Sequence, residues 1–128
     1  MAEISNFLEN ALINATLRNT TYTSVATVYV SLWTSDPTDA GSGTEVSGGS
    51  YARTAVTFAA PSNGVTTNSA DVTFPTATAS WGVVGWIGIN DAASSGNLLY
   101  HSPLDTSKTI DSGDIFKIST GNLSVTLA

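Results

Sequence analysis

Apolar and polar residues alternate with a period of two along most of this chain, and that alternation admits few architectures other than an antiparallel β fold. Val28, Val30 and Leu32 alternate with Tyr29, Ser31 and Trp33, and Thr54, Val56 and Phe58 alternate with Arg53, Ala55 and Thr57. Near the end, Leu123, Val125 and Leu127 face one way and Ser124 and Thr126 the other. Residues 81–90, WGVVGWIGIN, are apolar on both faces, with Val83, Ile87 and Ile89 alternating with Val84 and Trp86. Such a run predicts a central strand covered on both sides. Its Gly82, Gly85 and Gly88 leave room for large rings to lie across the backbone. Shorter strands are expected at 65–67, 72–74, 98–102 (ending at Pro103) and 115–119, with turns at 90–96, 111–114 and 120–122. The expected fold is mainly β: a single antiparallel β-sandwich, jelly-roll-like, of about eight strands. Its core is expected to hold Val30, Leu32, Val56, Phe58, Phe74, Val84, Trp86, Ile87, Ile89, Phe116, Leu123 and Val125.

The first eighteen residues follow another rule. Ile4, Phe7, Leu8, Ala11, Leu12 and Ala15 fall on one face of a 3.6-residue helix. Ser5 or Asn6 can cap its start, and Glu3, Glu9 and Arg18 suit the helix dipole. A helix is therefore expected over 5–17, covering the sheet or docking on a neighbouring subunit. The chain divides into an N-terminal helix with its connection, 1–21, and a β-sandwich, 22–128, in one structural domain of 128 residues.

Composition narrows the function. Four basic residues against ten acidic ones give a net charge of −6, too few cations for phosphate-driven nucleic-acid binding and the wrong sign for an anionic membrane. Ser and Thr number 36, which suits strands that expose hydroxyls. No Cys is present, so neither a disulfide framework nor a thiolate metal site is expected. No apolar run is long enough to span a bilayer and no secretion signal opens the sequence, so synthesis without secretion is expected.

Chemistry-bearing motifs are sparse. His101, the single histidine, could act as a general base only beside a nucleophile and an orienting acid, and no G-x-S-x-G turn presents a serine. Asp36, Asp39 and Glu45 invite a calcium reading, but their spacing does not fit a known calcium loop. Asp111 and Asp114 around Gly113 suit a simple turn equally well. Trp33, Trp81, Trp86, Tyr29, Tyr51 and Tyr100 could stack on sugar rings, though core packing is the default use of such residues in a small domain. No enzyme activity, metal or cofactor is expected. The loop 35–50 is too long and too rich in Gly, Ser and Asp for a hairpin connection, and is expected to reach outward to a neighbour or to solvent.

The phrases LWTSDPTDAGSGTEVSGGSYARTAVTF, NSADVTFPTATASWG and NLLYHSPLDTSKTIDSGD carry a resemblance, spanning roughly Tyr22 to Leu127, to a family of small tailed-bacteriophage proteins. Members are usually labelled tail fibre or head decoration proteins. The resemblance implies a virion structural protein. A fibre normally needs a shaft with heptads or repeats, and neither occurs here. The expectation is thus a capsid decoration or cement protein bridging capsomers on the outer shell, with a tail fibre or tail adaptor module as the alternative. The major capsid protein is the expected partner, tail proteins the alternative, and a homotrimer is favoured over a dimer. Phe7, Leu8 and Leu12 on the helix and Trp33, Asp36, Asp39 and Glu45 in and beside the long loop are the candidate interface residues.

Overall fold

The computed structural model describes residues 2–127; Met1 and Ala128, the outermost residues of the two segments expected from the sequence, lie outside them. The helix forms as its caps require. α1 runs Asn6–Leu17, and the Ser5 hydroxyl accepts the Leu8 backbone N–H at 3.2 Å. Its first turn is also tied to the rest of the molecule. Ser5 donates its backbone N–H to the Leu99 carbonyl and its hydroxyl to the Leu98 carbonyl, at 2.9 and 2.6 Å. Leu8 is buried, whereas Phe7, Ile13 and Leu17 remain exposed, so the apolar stripe is covered mainly near its anchored end.

Nine strands follow the period-two pattern among the described residues: β1 Glu3–Ile4, β2 Val28–Trp33, β3 Thr54–Val56, β4 Val65–Thr67, β5 Val72–Thr73, β6 Gly82–Asn90, β7 Leu98–Ile110, β8 Lys117–Ile118 and β9 Ser124–Thr126. One antiparallel sheet has the order β1-β7-β6-β2-β3, and two ribbons, β4-β9 and β5-β8, supply a second layer. The layers share one core. Val30 and Leu32 of β2 and Val84, Ile87 and Ile89 of β6 cluster with Val72, Phe74, Phe116, Leu123 and Val125. The Phe74 and Phe116 rings meet edge to face at 5.6 Å, and Tyr51 stacks on Phe74 and meets Trp81 edge-on. Tyr51 and Trp81 are thus packing residues, not sugar platforms.

Three expectations need correction. Trp86 is only half-buried and Val83 is 52% exposed, while Val84 is fully buried. The β6–β7 register shifts between Val84 and Trp86, and a bulge there reverses the alternation, so Val84 joins Ile87 and Ile89 on the core side. Phe58 lies past the end of β3, bridges to Asn68 and packs against the core half-buried. The strand expected to stop at Pro103 continues to Ile110. Beyond residues 100 and 101, which β1 covers, β7 is an edge strand, where a proline is tolerated.

Candidate functional site

The side chains on the sheet face opposite the core converge on a polar patch. β2 and β6 pair so that Ser31 lies opposite Gly88 and Trp33 opposite Trp86. The Trp33 indole donates to the Ser31 hydroxyl at 2.8 Å, and that hydroxyl donates to Asn90 Oδ1 at 2.6 Å. Both Ser31 and Asn90 are buried, and this relay satisfies them. Only glycine fits beneath it. A methyl group on Gly88 would lie 2.7 Å from Ser31 Oγ, 2.8 Å from Leu98 Cδ1 and 2.9 Å from Trp33 Nε1. The ring therefore does lie across the β6 backbone at Gly88, while nothing lies within 4 Å of the same position on Gly85.

The loop between β2 and β3 covers this patch instead of reaching outward, which corrects the expectation for 35–50. Pairing continues past β2: Thr34 donates to the Thr44 carbonyl and Val46 to the Leu32 carbonyl, both at 2.9 Å. Val46 enters the core and Pro37 is buried. Gly43 passes so close to the Asp36–Pro37 backbone that any side chain would collide with it. A backbone bond from Asn6 to the Asp39 carbonyl, 3.0 Å, joins the loop to the start of α1.

A fork of charges fixes the far side of the loop. Arg53 Nε and Nη2 donate to the two Glu45 oxygens at 2.9 Å each, and its Nη1 donates to the carbonyls of Ala92 and Ser95 at 3.0 and 2.8 Å. The Tyr51 hydroxyl donates to Glu45 at 2.6 Å and accepts the Leu32 N–H at 3.0 Å. Burial pushes the Glu45 carboxyl up, but the Arg53 fork and the Tyr51 hydroxyl outweigh it and hold the group below its ordinary 4.5. Tyr51 is raised, first by burial and then by its bond to Glu45. Between the fork, the loop and α1 opens a cleft of about 460 Å³, with Asn6, Phe7, Trp33, Asp39, Arg53 and Asn97 in its walls.

His101 sits at the edge of the same face, opposite Glu3 in the β1–β7 pairing. Its side chain is buried, and Nε2 lies 2.8 Å from Asp39 Oδ1 and 3.7 Å from Glu3 Oε2. The Asp36 carboxylate is 3.9 Å from Nδ1. The acids Asp36 and Asp39 thus converge on the histidine, while Glu45 is drawn away by Arg53. Asp111 and Asp114 are engaged in a turn: Asp114 donates its N–H to the Asp111 carbonyl and accepts the Asp111 N–H on Oδ2. Of the seven candidate interface residues, Leu8 and Trp33 are buried and Glu45 is ion-paired, leaving Phe7, Asp36 and Asp39 exposed and Leu12 half-buried. Sequence reasoning did not single out Arg53, Asn90, Asn97 or Glu3. The Arg53–Glu45 pair carried a signal, since a chain with four basic residues that keeps one between two strands has reason to pair it.

The described residues form a two-layer β protein whose buried polar groups hold its own loops against the sheet, and no helix among them is long and apolar enough to cross a membrane. The family model described as "Podophage GP4 fiber I protein gp80" matches residues 3–126, and the chain belongs to that family of phage virion proteins. No curated protein matches it.

Proposed function

We propose that this chain is a non-enzymatic structural component of a podophage tail fibre. The observation that carries the reading is the match of the fibre family over residues 3–126. The capsid decoration role expected from the sequence rested on the lack of a fibre shaft, and the family description favours the tail instead. A compact domain serves a fibre as a module or adaptor whose neighbours supply the length. Its partners are other tail proteins and further copies of itself, with a trimer as the assembly favoured by symmetric closure. Phe7, Ile13 and Leu17 on α1 are exposed apolar residues in a chain with only 14 charged ones, which suits attachment to a neighbour. The cleft with Phe7, Asn97 and Arg53 at its walls is the candidate for contact outside the fibre. Immunogold electron microscopy of intact virions tests the location. Label confined to the tail, with a copy number of tail order by quantitative mass spectrometry, supports the fibre role. Label spread over the head, at capsomer-like copy number, overturns it in favour of decoration.

A further inference from the structure

We propose that Glu3, Asp39 and His101 bind one divalent transition cation of the zinc, cobalt or nickel type. The ligand atoms of the three side chains lie within 4.8 Å of one another. Two carboxylates converge on one ring nitrogen, Asp39 at 2.8 Å and Glu3 at 3.7 Å. A single Nε2–H reaches only the nearer of them, since the other lies beyond hydrogen-bond distance. A cation with bonds of about 2.0–2.2 Å serves all three, because ligands of one tetrahedral shell sit roughly 3.3–3.6 Å apart, between the two separations observed at Nε2. Two carboxylates and a neutral imidazole also balance a charge of two.

The backbone brings the three residues together. Antiparallel pairing puts Glu3 directly across from His101, where side chains share a face. The bond from Asn6 to the Asp39 carbonyl fixes the loop ligand beside them. The imidazole is 2% exposed, so its orientation is held by packing. Asp36 lies 3.9 Å from Nδ1, beyond hydrogen-bond distance but on the side of the ring from which an outer carboxylate can orient a metal-bound histidine. A solvent-open cleft of about 410 Å³ lined by Glu3, Glu9 and Asp39 reaches two of the three ligands and includes a third carboxylate in its wall. The nitrogen ligand selects against calcium and magnesium, which take oxygen shells. Once bound, the ion would tie β1, the long loop and β7 together. This inference is independent of whether the protein stands in the tail or on the head.

The test uses the full chain without a histidine tag, stripped with chelator and dialysed, then titrated calorimetrically with zinc chloride, and in parallel with calcium and magnesium chloride. Cobalt absorption reports the ligand shell. One zinc ion per chain is expected, with a rise in melting temperature that chelator reverses. Glu3→Gln and Asp39→Asn should each weaken zinc at least ~10-fold while the far-UV circular dichroism of the stripped protein stays unchanged. Both side chains are largely exposed, 69% and 47%, so these variants fold even if His101→Gln does not. Absence of saturable zinc binding overturns the proposal. Binding that survives both carboxylate variants also overturns it, because it reflects only diffuse attraction to an acidic surface. Calcium binding as tight as zinc overturns the assignment of ion class.

Discussion

Two glycines three residues apart on β6 should respond in opposite directions to the same added methyl group. At Gly88 a methyl would lie under 3.0 Å from Ser31 Oγ, Leu98 Cδ1 and Trp33 Nε1, and none of these is the free end of a flexible exposed chain. Forcing them aside costs about 1–3 kcal/mol. Displacing the indole also separates it from Ser31, and a buried donor without an acceptor costs about 1–3 kcal/mol more. Against this stands a gain of about 0.4–1 kcal/mol, because alanine restricts the unfolded chain more than glycine does. Gly88→Ala should therefore lose roughly 1–5 kcal/mol, against the ~5–15 kcal/mol that holds a domain of this size. Gly85→Ala meets nothing within 4 Å and Gly85 is not among the positive-φ glycines. Only the gain applies there, so it should be neutral or slightly stabilising. At about 3–5 °C per kcal/mol for a chain of this length, thermal unfolding by circular dichroism should place Gly88→Ala below Gly85→Ala by roughly 5–25 °C. Urea unfolding gives the same order independently. Equal melting temperatures would refute the claim that the Trp33–Ser31–Asn90 relay leaves no room over Gly88.

Three further variants probe the charge fork and the core. Glu45 is held below its ordinary 4.5 in the folded state, so its pairing contributes fully above pH 4.5 and is lost as the pH falls through the lower folded value. Urea midpoints of wild type and Glu45→Gln should therefore differ most at pH 7 and converge in acid, and a gap that stays constant with pH would count against the fork. Trp81→Ala removes a buried ring that also donates to the Gly49 carbonyl at 2.9 Å and should cost about 3–5 kcal/mol. Trp86→Ala should cost less than half as much, measured by the same urea titration, because Trp86 is only half-buried.

Much of the fold was legible because its signals are local. The Ser5 cap, the extent of α1 and the alternation in β2 and β9 depend on residues a few positions apart, and each is where the pattern puts it. The bulge at Gly85 was not legible, because a register shift depends on the partner strand, and it carried Trp86 out of the core. The loop 35–50 misled for a related reason. Its Gly and Asp content reads as freedom, yet Gly43 is there because the backbone passes too close for a side chain, and Asp36 receives the Thr38 N–H in a turn. The histidine cluster was invisible as a unit, since Glu3, Asp39 and His101 meet only through sheet pairing and loop return.

The pairing of β1 with β7 has a consequence for how the chain reaches its folded state during synthesis. Glu3 and Ile4 leave the ribosome ahead of their partners His101 and Tyr100, which follow only after β2 to β6 have been made. At ~5–20 residues per second, that delay is on the order of 5–20 s. Through that interval α1, whose anchors are the Leu98 and Leu99 carbonyls, has nothing to dock on. Its Leu8 side stays exposed to whatever else is nearby, including other nascent copies. The β2–β3 hairpin and its long loop can close well before then. β1 therefore cannot join the sheet until β7 has been made.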